Sequence, residues 1–399
     1  MKNMLLWSLV GLLSFSSMAQ EKPYVLLISF DGFRHDYVSR FNTPNFNDFI
    51  KEGTAAQSLR PSFPSKTFPN HYTLVTGLYP GNHGLVGNQF YDKSRKAEYG
   101  IRNRSSVQDA YFYGGMPLWQ LTQENGYKSA SYFWVGSEAA IKGRFPDYYY
   151  LYDGQVDNYE RVDQCIKWLN IPIAKRPRFI SLYFSLVDSQ GHKTGPNSPE
   201  LENTVEEADK ILGYIMENLK SINLPVNIII TSDHGMTEVN TMDWIDSKPI
   251  IAQIPEDAVV VSDRILSQIY LDKSQIGRTY TALKALENNF KTYRKKDMPK
   301  SWHYSKNDRV GDVLLVAEPG YAFRDMAEPE KLTGEHGYDP YLTPEMGGIF
   351  YANGPNIKKK GQLGTIQNID VYPLVTKILG FKNPKIDGKF RRVKGFYRK

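Results

Sequence analysis

Several short strings place oxygen and nitrogen donors where a metal ion could use them. Asp188-Ser-Gln-Gly-His192 sets a carboxylate and an imidazole four residues apart in a glycine-containing turn. Asp233-His234-Gly235 sets another such pair side by side. Asp31, ahead of Gly32, and His336, in Gly334-Glu335-His336-Gly337, complete six candidate ligands: Asp31, Asp188, His192, Asp233, His234 and His336. Aspartate and neutral imidazole suit zinc, and no thiolate competes for the role. Six donors are what two three-ligand sites, and so two zinc ions per chain, require. Taken singly, an Asp after a strand is a cap or turn former. Three acids packed together, however, repel and raise one another's pKa unless cations compensate them.

A nucleophile candidate lies in Pro61-Ser-Phe-Pro-Ser-Lys-Thr67-Phe-Pro-Asn-His71. The stretch from Tyr72 continues as a helical pattern that stops at Gly77, which predicts Thr67 at or near the N-cap. A helix N-terminus offers free N–H groups and the positive end of the dipole, both favourable to a phosphate or an alkoxide. Zinc against the hydroxyl would lower its pKa, as it does for water, and make Thr67 an attacking oxygen at neutral pH.

Apolar runs precede three of these residues directly. Tyr24 to Phe30 runs into Asp31, Phe179 to Val187 into Asp188, and Val226 to Ser232 into Asp233. Runs rich in Val, Ile and Leu suit parallel strands covered on both faces. Helical patterns over Thr43–Glu52, Met116–Glu124 and Pro199–Leu219 lie between them. The alternation predicts an α/β fold: a doubly wound, mainly parallel sheet with helices on both faces. In such sheets ligands bind outside the carboxyl ends of the strands, so the acids converge on one edge. A further strand, Gly348–Ala352, follows the loop of His336 and brings that imidazole to the same edge. The less regular segment 236–331 is expected to form a smaller α+β subdomain within a single catalytic domain spanning 20–399.

The bulk composition fits this picture. The chain has 399 residues, 41% of them apolar and 23% charged, and a net charge of +6. Acids and bases read as spread through the chain, so no stable nucleic-acid complex is expected. Residues 1–19 read as an export signal: Lys2, an apolar stretch from Met4 to Phe15, then Ser17-Met18-Ala19. The apolar run is too short to span a bilayer, so no membrane span is expected after cleavage, and the protein is expected to be exported to a periplasm or secreted. The one cysteine, Cys165, excludes an intrachain disulfide and reads as packing in a helical pattern.

Five strings together carry a family resemblance: Ser65-Lys-Thr-Phe-Pro-Asn-His-Tyr72, Thr76-Gly-Leu-Tyr-Pro-Gly-Asn-His-Gly84, Asp188 to His192, Ser232-Asp-His-Gly-Met236 and Glu335-His-Gly-Tyr-Asp339. The chain resembles the nucleotide pyrophosphatase/phosphodiesterase family of the alkaline-phosphatase superfamily, from about Tyr24 to Gly380. The resemblance implies an alkaline-phosphatase-like fold and a two-zinc hydrolase of nucleotide phosphodiester and pyrophosphate bonds. It implies that Asp31, Thr67, Asp233 and His234 hold one zinc, and that Asp188, His192 and His336 hold the other. Thr67 would pass through a phosphothreonine and release a nucleoside 5′-monophosphate. Asn88 and the Thr67 N–H would bind the non-bridging phosphate oxygen, and Phe68 and Tyr152 would sandwich the base of a small nucleotide substrate. Leu186-Val187, Met116 and Val135 depart from the family pattern; Met116 and Val135 bear on the leaving-group side and substrate preference rather than on the ligand set.

Other substrates are open to the same superfamily: a phosphomonoester, a phosphonate or a choline-phosphate ester. No Arg flanks Thr67 to meet the second charge of a monoester, and Lys66 is the nearest cation. A non-catalytic exported zinc-binding module would have lost the nucleophile or a ligand, and neither is missing.

Overall fold

Tyr24–Phe30 (β1) is buried along its whole length. Val25 and Leu27 belong to one apolar cluster, and Leu26, Ile28 and Phe30 to another. That alternation is what a central strand covered on both faces requires. The structure is a computed structural model that describes residues 22–324 and 333–399. The expected export signal and the last residues of the 236–331 segment lie outside the described residues.

β1 is joined by Thr54–Ala56 (β2), Lys128–Tyr132 (β3), Tyr148–Tyr150 (β4), Pro177–Phe184 (β5), Val226–Thr231 (β6), Phe350–Asn353 (β7) and Gly361–Leu363 (β8). They form an eight-stranded sheet in the order β8-β2-β7-β6-β1-β5-β3-β4. β6, β1, β5, β3 and β4 run parallel. The strand expected at Gly348–Ala352 is Phe350–Asn353, and it runs antiparallel to β6, with Phe350 opposite Thr231 and Asn353 opposite Ile228. It therefore starts at the carboxyl edge of the parallel strands, which is how the loop before it reaches that edge.

Helices cover both faces, as the sequence predicts. Pro44–Glu52 (α1), Thr67–Thr76 (α2), Leu118–Glu124 (α3), Asn158–Asn170 (α4), Leu186–Thr194 (α5), Pro199–Lys220 (α6) and Val371–Leu379 (α7) are the ones that matter here. Phe46 of α1, Val162 and Trp168 of α4, and Leu201 and Val205 of α6 pack with Leu26 and Ile28. Leu74 of α2, Trp119 of α3 and Leu374 of α7 pack with Val25 and Leu27 on the other face. α6 shows why the local sequence folds as it does. The Ser198 hydroxyl accepts the Leu201 N–H at 3.1 Å, Pro199 opens the first turn, and Glu200 and Glu202 face the positive dipole end. Its buried Leu201, Val205, Ala208, Leu212 and Ile215 recur at helical spacing.

Residues 236–324 carry a separate four-stranded antiparallel sheet of Val259–Ser262, Leu266–Tyr270, Val313–Ala317 and Phe290–Arg294, in that spatial order. The helix Lys273–Lys284 follows its second strand, and Ile269, Leu283, Phe290 and Leu315 form part of an apolar cluster of its own. Cys165 is buried in α4, and burial pushes its thiol far above the usual range.

Candidate active site

Asp31, Asp188 and Asp233 meet where β1, β5 and β6 end. Asp31 N–H donates to Phe184 O at 2.8 Å, and Asp188 N–H donates to Asp31 O at 3.0 Å. The two strand ends are thus stitched through main chain. Gly32 makes the approach possible: its φ is +67°, and a Cβ there would stand 2.8 Å from the Asp188 Cα. Gly32 N–H also donates to Asp233 Oδ1 at 3.3 Å.

Asp188 and His192 were expected in a turn; they instead lie one helical turn apart on α5. The strand ends at Phe184, three residues earlier than the apolar run suggests. Leu186 and Val187 are apolar because they open a helix whose Val187 is buried. The i, i+4 spacing puts both donors on one helix face, with His192 Nε2 3.4 Å from Asp188 Oδ1.

The three imidazoles share one arrangement. His192 Nδ1 is 2.8 Å from Gly334 O, His234 Nδ1 is 2.8 Å from Gly235 O, and His336 Nδ1 is 2.8 Å from Ser65 O. A carbonyl only accepts, so each Nδ1 carries a proton and each Nε2 presents a lone pair when its ring is neutral; burial opposes a charge on His234, but Asp233 prevails and raises its pKa. Those lone pairs face carboxylates. His234 Nε2 lies 2.9 Å from Asp233 Oδ2 and 3.4 Å from Asp31 Oδ1, and His336 Nε2 lies 3.7 Å from Asp188 Oδ1. Asp31 Oδ1, Asp188 Oδ1 and Asp233 Oδ2 are buried and accept no hydrogen bond, despite these close nitrogens. Acceptors converging on acceptors are the pattern of ligands that share a cation.

The charges agree. Burial, with the neighbouring Asp233 and Asp188, pushes the Asp31 carboxyl well above its usual range. Burial also opposes ionisation of Asp233, but His234 and His71 overcome it and hold that carboxyl well below the usual range. Burial and the nearby His234, Lys66 and His192 push His336 far down, keeping it neutral and able to ligate. Protein groups alone leave the acids in conflict, and a divalent cation fits the donor set. Among the described residues, two groups bring their ligand atoms within 4.8 Å of one another: Asp31, Asp233 and His234, and Asp188, His234 and His336. His234 belongs to both, and His192 joins the second through its contact with Asp188.

Thr67 is the first residue of α2, with extended Lys66 as the N-cap, so its hydroxyl does not cap the helix. The hydroxyl instead lies 3.2 Å from His234 Nε2. Asn70, buried in the next turn, fixes the loop that delivers it. Its Oδ1 accepts from Ser62 N–H at 2.7 Å, and its Nδ2 donates to Pro64 O and Lys66 O at 2.9 and 2.8 Å.

The sequence profile of the family described as type I phosphodiesterase/nucleotide pyrophosphatase matches residues 25–339. The chain belongs to that family. It is 35% identical to the bis(5′-adenosyl)-triphosphatase of Xenopus laevis, with 93% of this chain and 81% of that protein aligned. It is 36% identical to a venom phosphodiesterase of Crotalus durissus collilineatus over 92% of this chain, but spans only 46% of that protein's length. Murine ectonucleotide pyrophosphatase/phosphodiesterase 5, solved as an inactive threonine-to-alanine form in complex with AMP, matches with TM-score 0.88 and 32% identity over 94% of this chain and 100% of that one. The main sheet, its two helical layers and this match give the family member an alkaline-phosphatase-like fold.

Of the remaining candidate residues of this family member, Asn88 and Phe68 adjoin Thr67, and Tyr152 lies against Phe133 and Tyr183. Asn88 Oδ1 accepts the Phe68 N–H at 2.9 Å, which turns its amide nitrogen outward as a donor. Phe68 is half-buried beside the Tyr99 ring. Tyr152 is 42% exposed and packs edge-on against Phe133 and Tyr183, and no ring contact joins it to Phe68 among the described residues. Met116 and Val135 pack in the core cluster below α2.

Two residues escaped the sequence reading. Tyr183 donates its hydroxyl to Asp31 Oδ2 at 2.6 Å; the signal was a polar-tipped aromatic near the end of an apolar strand. His71 sits with Nδ1 3.0 Å from Thr67 O and 3.2 Å from Asp233 Oδ2, and Nε2 2.8 Å from Ser29 Oγ. It lies in the quoted Thr67 string, one helical turn on.

Proposed function

We propose that this chain is an exported phosphodiesterase and nucleotide pyrophosphatase that holds two zinc ions and releases nucleoside 5′-monophosphates through a phosphothreonine at Thr67. The observation that carries the reading is the Thr67 hydroxyl, 3.2 Å from the His234 lone pair and beside three carboxylate oxygens without hydrogen bonds. Asp31, Thr67, Asp233 and His234 would hold one zinc, and Asp188, His192 and His336 the other. Bound zinc lowers the pKa of a hydroxyl and offsets charge that develops on phosphate oxygens. The names of the relatives support the substrate class, and the inactive threonine variant of the murine relative supports a threonine as the working group.

The Thr67 hydroxyl gives its proton to solvent as Oγ attacks phosphorus in line, and the bond to the departing oxygen breaks, that oxygen taking up a proton from solvent. Water then attacks from the opposite side, the Oγ–P bond breaks, and Thr67 recovers its proton. The Asn88 amide and the free Thr67 N–H donate to the non-bridging oxygen, where charge grows in the transition state. Phe68 and Tyr152 stack the base, which tolerates several bases. Lys66 Nζ lies 3.5 Å from Asp263 and 3.9 Å from Glu335. Its charge is matched there, so Lys66 is not spare for the second charge of a monoester. Segment 236–331 serves as a subdomain of the one catalytic domain.

The test is hydrolysis of the p-nitrophenyl ester of thymidine 5′-monophosphate against p-nitrophenyl phosphate, with zinc or with a chelator, for wild type and Thr67→Ala. Diester preference, lost with the chelator and in the variant, is the expected result. Monoester preference, or activity that survives in Thr67→Ala, would overturn the proposal.

A further inference from the structure

The sequence predicts an even spread of charge, but the carboxyl-terminal end departs from it. Residues 356–399 hold twelve lysines and arginines against Asp370 and Asp387, whereas the whole chain holds 49 Lys and Arg against 43 Asp and Glu. The remainder is therefore acidic on balance. All twelve basic side chains are exposed. Neither aspartate neutralises them as a group. Asp370 is buried and bonded to the Lys389 N–H and to Arg392, and Asp387 accepts from the Tyr79 N–H and from Asn82.

The fold gathers several of these residues on one face. Lys358 N–H donates to Phe396 O, and Arg398 N–H donates to Asn356 O, each at 2.8 Å, so the lysine run 358–360 lies beside the last turn of chain. Lys377 reaches over the rings of Phe390 and Tyr397 at 5.8 and 5.7 Å, which brings α7 to the same place. Lys358, Lys377, Arg391, Lys394 and Arg398 have no acidic partner among the described residues.

The position of this face decides what it fits. β7 is antiparallel, so the residues after Asn353 emerge at the amino edge of the parallel strands, where Asn356 meets Asn227 at the start of β6. Phe381 stacks on Tyr127, just before β3, and the Arg178 guanidinium of β5 lies over both rings. The part of the basic face around Lys358–Lys360, Lys382 and Arg398 thus lies at the edge opposite Asp31, Asp188 and Asp233, separated by the length of the seven-residue β1, about 20 Å or more, whereas Lys389 and Arg392 sit at Asp370, whose neighbour Asn368 bonds Ser62 and Asn70. A basic face that guided a polynucleotide into the site would adjoin the site. One on the opposite edge suits a flat anionic surface, with the catalytic edge turned outward. No described helix is long and apolar enough to cross a membrane.

We propose that the face built from residues 356–399 docks on an anionic lipid surface. Clustered basic side chains near such a surface each strengthen binding, and the attraction is screened by salt. The test is cosedimentation of the full chain with vesicles of phosphatidylglycerol mixed into phosphatidylcholine, against phosphatidylcholine alone. Wild type is expected to pellet with the anionic vesicles only, to be released by salt, and to keep its hydrolytic activity while bound. A variant carrying Lys358→Gln, Arg391→Gln, Lys394→Gln and Arg398→Gln is expected to lose partitioning by about fivefold per charge, with unchanged hydrolysis. A control carrying Lys210→Gln, Lys220→Gln, Lys284→Gln and Lys291→Gln removes as many charges from other elements and is expected to pellet as wild type does. Equal loss in the control, or binding to neutral vesicles, would overturn the proposal. So would a single-stranded oligonucleotide that binds through the same four residues while vesicles do not. Sedimentation is read without turnover, so failure of the hydrolytic reading leaves its outcome distinct.

Discussion

Tyr183→Phe removes one oxygen atom from the floor of the site and leaves the ring's packing against His71 and Tyr152 in place. The lost hydroxyl donates to Asp31 Oδ2 at 2.6 Å in a fully buried setting. A hydrogen bond to a charged group contributes about 1.5–3 kcal/mol, and losing the partner that orients a ligand typically lowers metal affinity about 10–100-fold. The hydroxyl favours the ionised form of Asp31, so its removal raises the pKa of a carboxyl that burial and two neighbouring acids already push up. Zinc binds the ionised form, so acid competes earlier: the pH at which zinc is lost on acidification should rise by about one to two units. Zinc affinity is measured by competition with a chromogenic chelator across a pH series, with stoichiometry checked by metal analysis. Wild-type affinity and an unmoved pH midpoint in the variant would refute the reasoning, since Oδ2 would then have lost its donor without consequence.

Asn88→Ala should lower kcat about 10²–10³-fold with zinc content unchanged, read by steady-state kinetics and metal analysis on the same sample. Gly32→Ala forces a φ of +67° on a residue with a Cβ that would stand 2.8 Å from the Asp188 Cα. It should cost about 1–2 kcal/mol in backbone strain alone and loosen zinc as well, seen as a lower Tm and faster metal loss to a chelator. Asp92 tests acid stability away from the site. Burial pushes its carboxyl up, but hydrogen bonds from Ser94, Arg95 and Arg309 prevail and hold it at about 2. A depressed folded pKa contributes stability above the unfolded value that is lost as pH falls through the folded one. Asp92→Asn should therefore lower stability at neutral pH by about 2 kcal/mol and flatten the decline between about pH 4 and pH 2, as thermal melts across that range would report.

Much of the site was legible because each acid follows an apolar run that contains a strand, and a doubly wound sheet offers one edge for all of them. The boundaries were less so. Leu186 and Val187 extend the apolar run of β5 although they open α5, and periodicity over a few residues cannot separate a buried strand from a buried helix start. Thr67, expected at or near the N-cap, is the first residue of α2. Lys66, no preferred cap residue, takes the N-cap because Asn70 holds the loop around it, a tertiary constraint with no local signature. Tyr183 and His71 act through pairings 152 and 162 residues away in sequence, which composition does not reveal. The carboxyl-terminal basic cluster was visible in the sequence all along, but the near-neutral total hid it.

Each of the three imidazoles is steered by a main-chain carbonyl, from Gly334, Gly235 and Ser65. Every amino acid supplies that group. Residues around the ligands can therefore change identity without turning a ring, provided that the chain path survives. The constraint falls on positions such as Gly334, where a Cβ would stand 2.3 Å from Gly191 O, rather than on the side chains that flank the donors. Such a scaffold separates the metal-binding geometry from the walls of the cleft, and leaves those walls free to drift toward new substrates while the chemistry stays fixed.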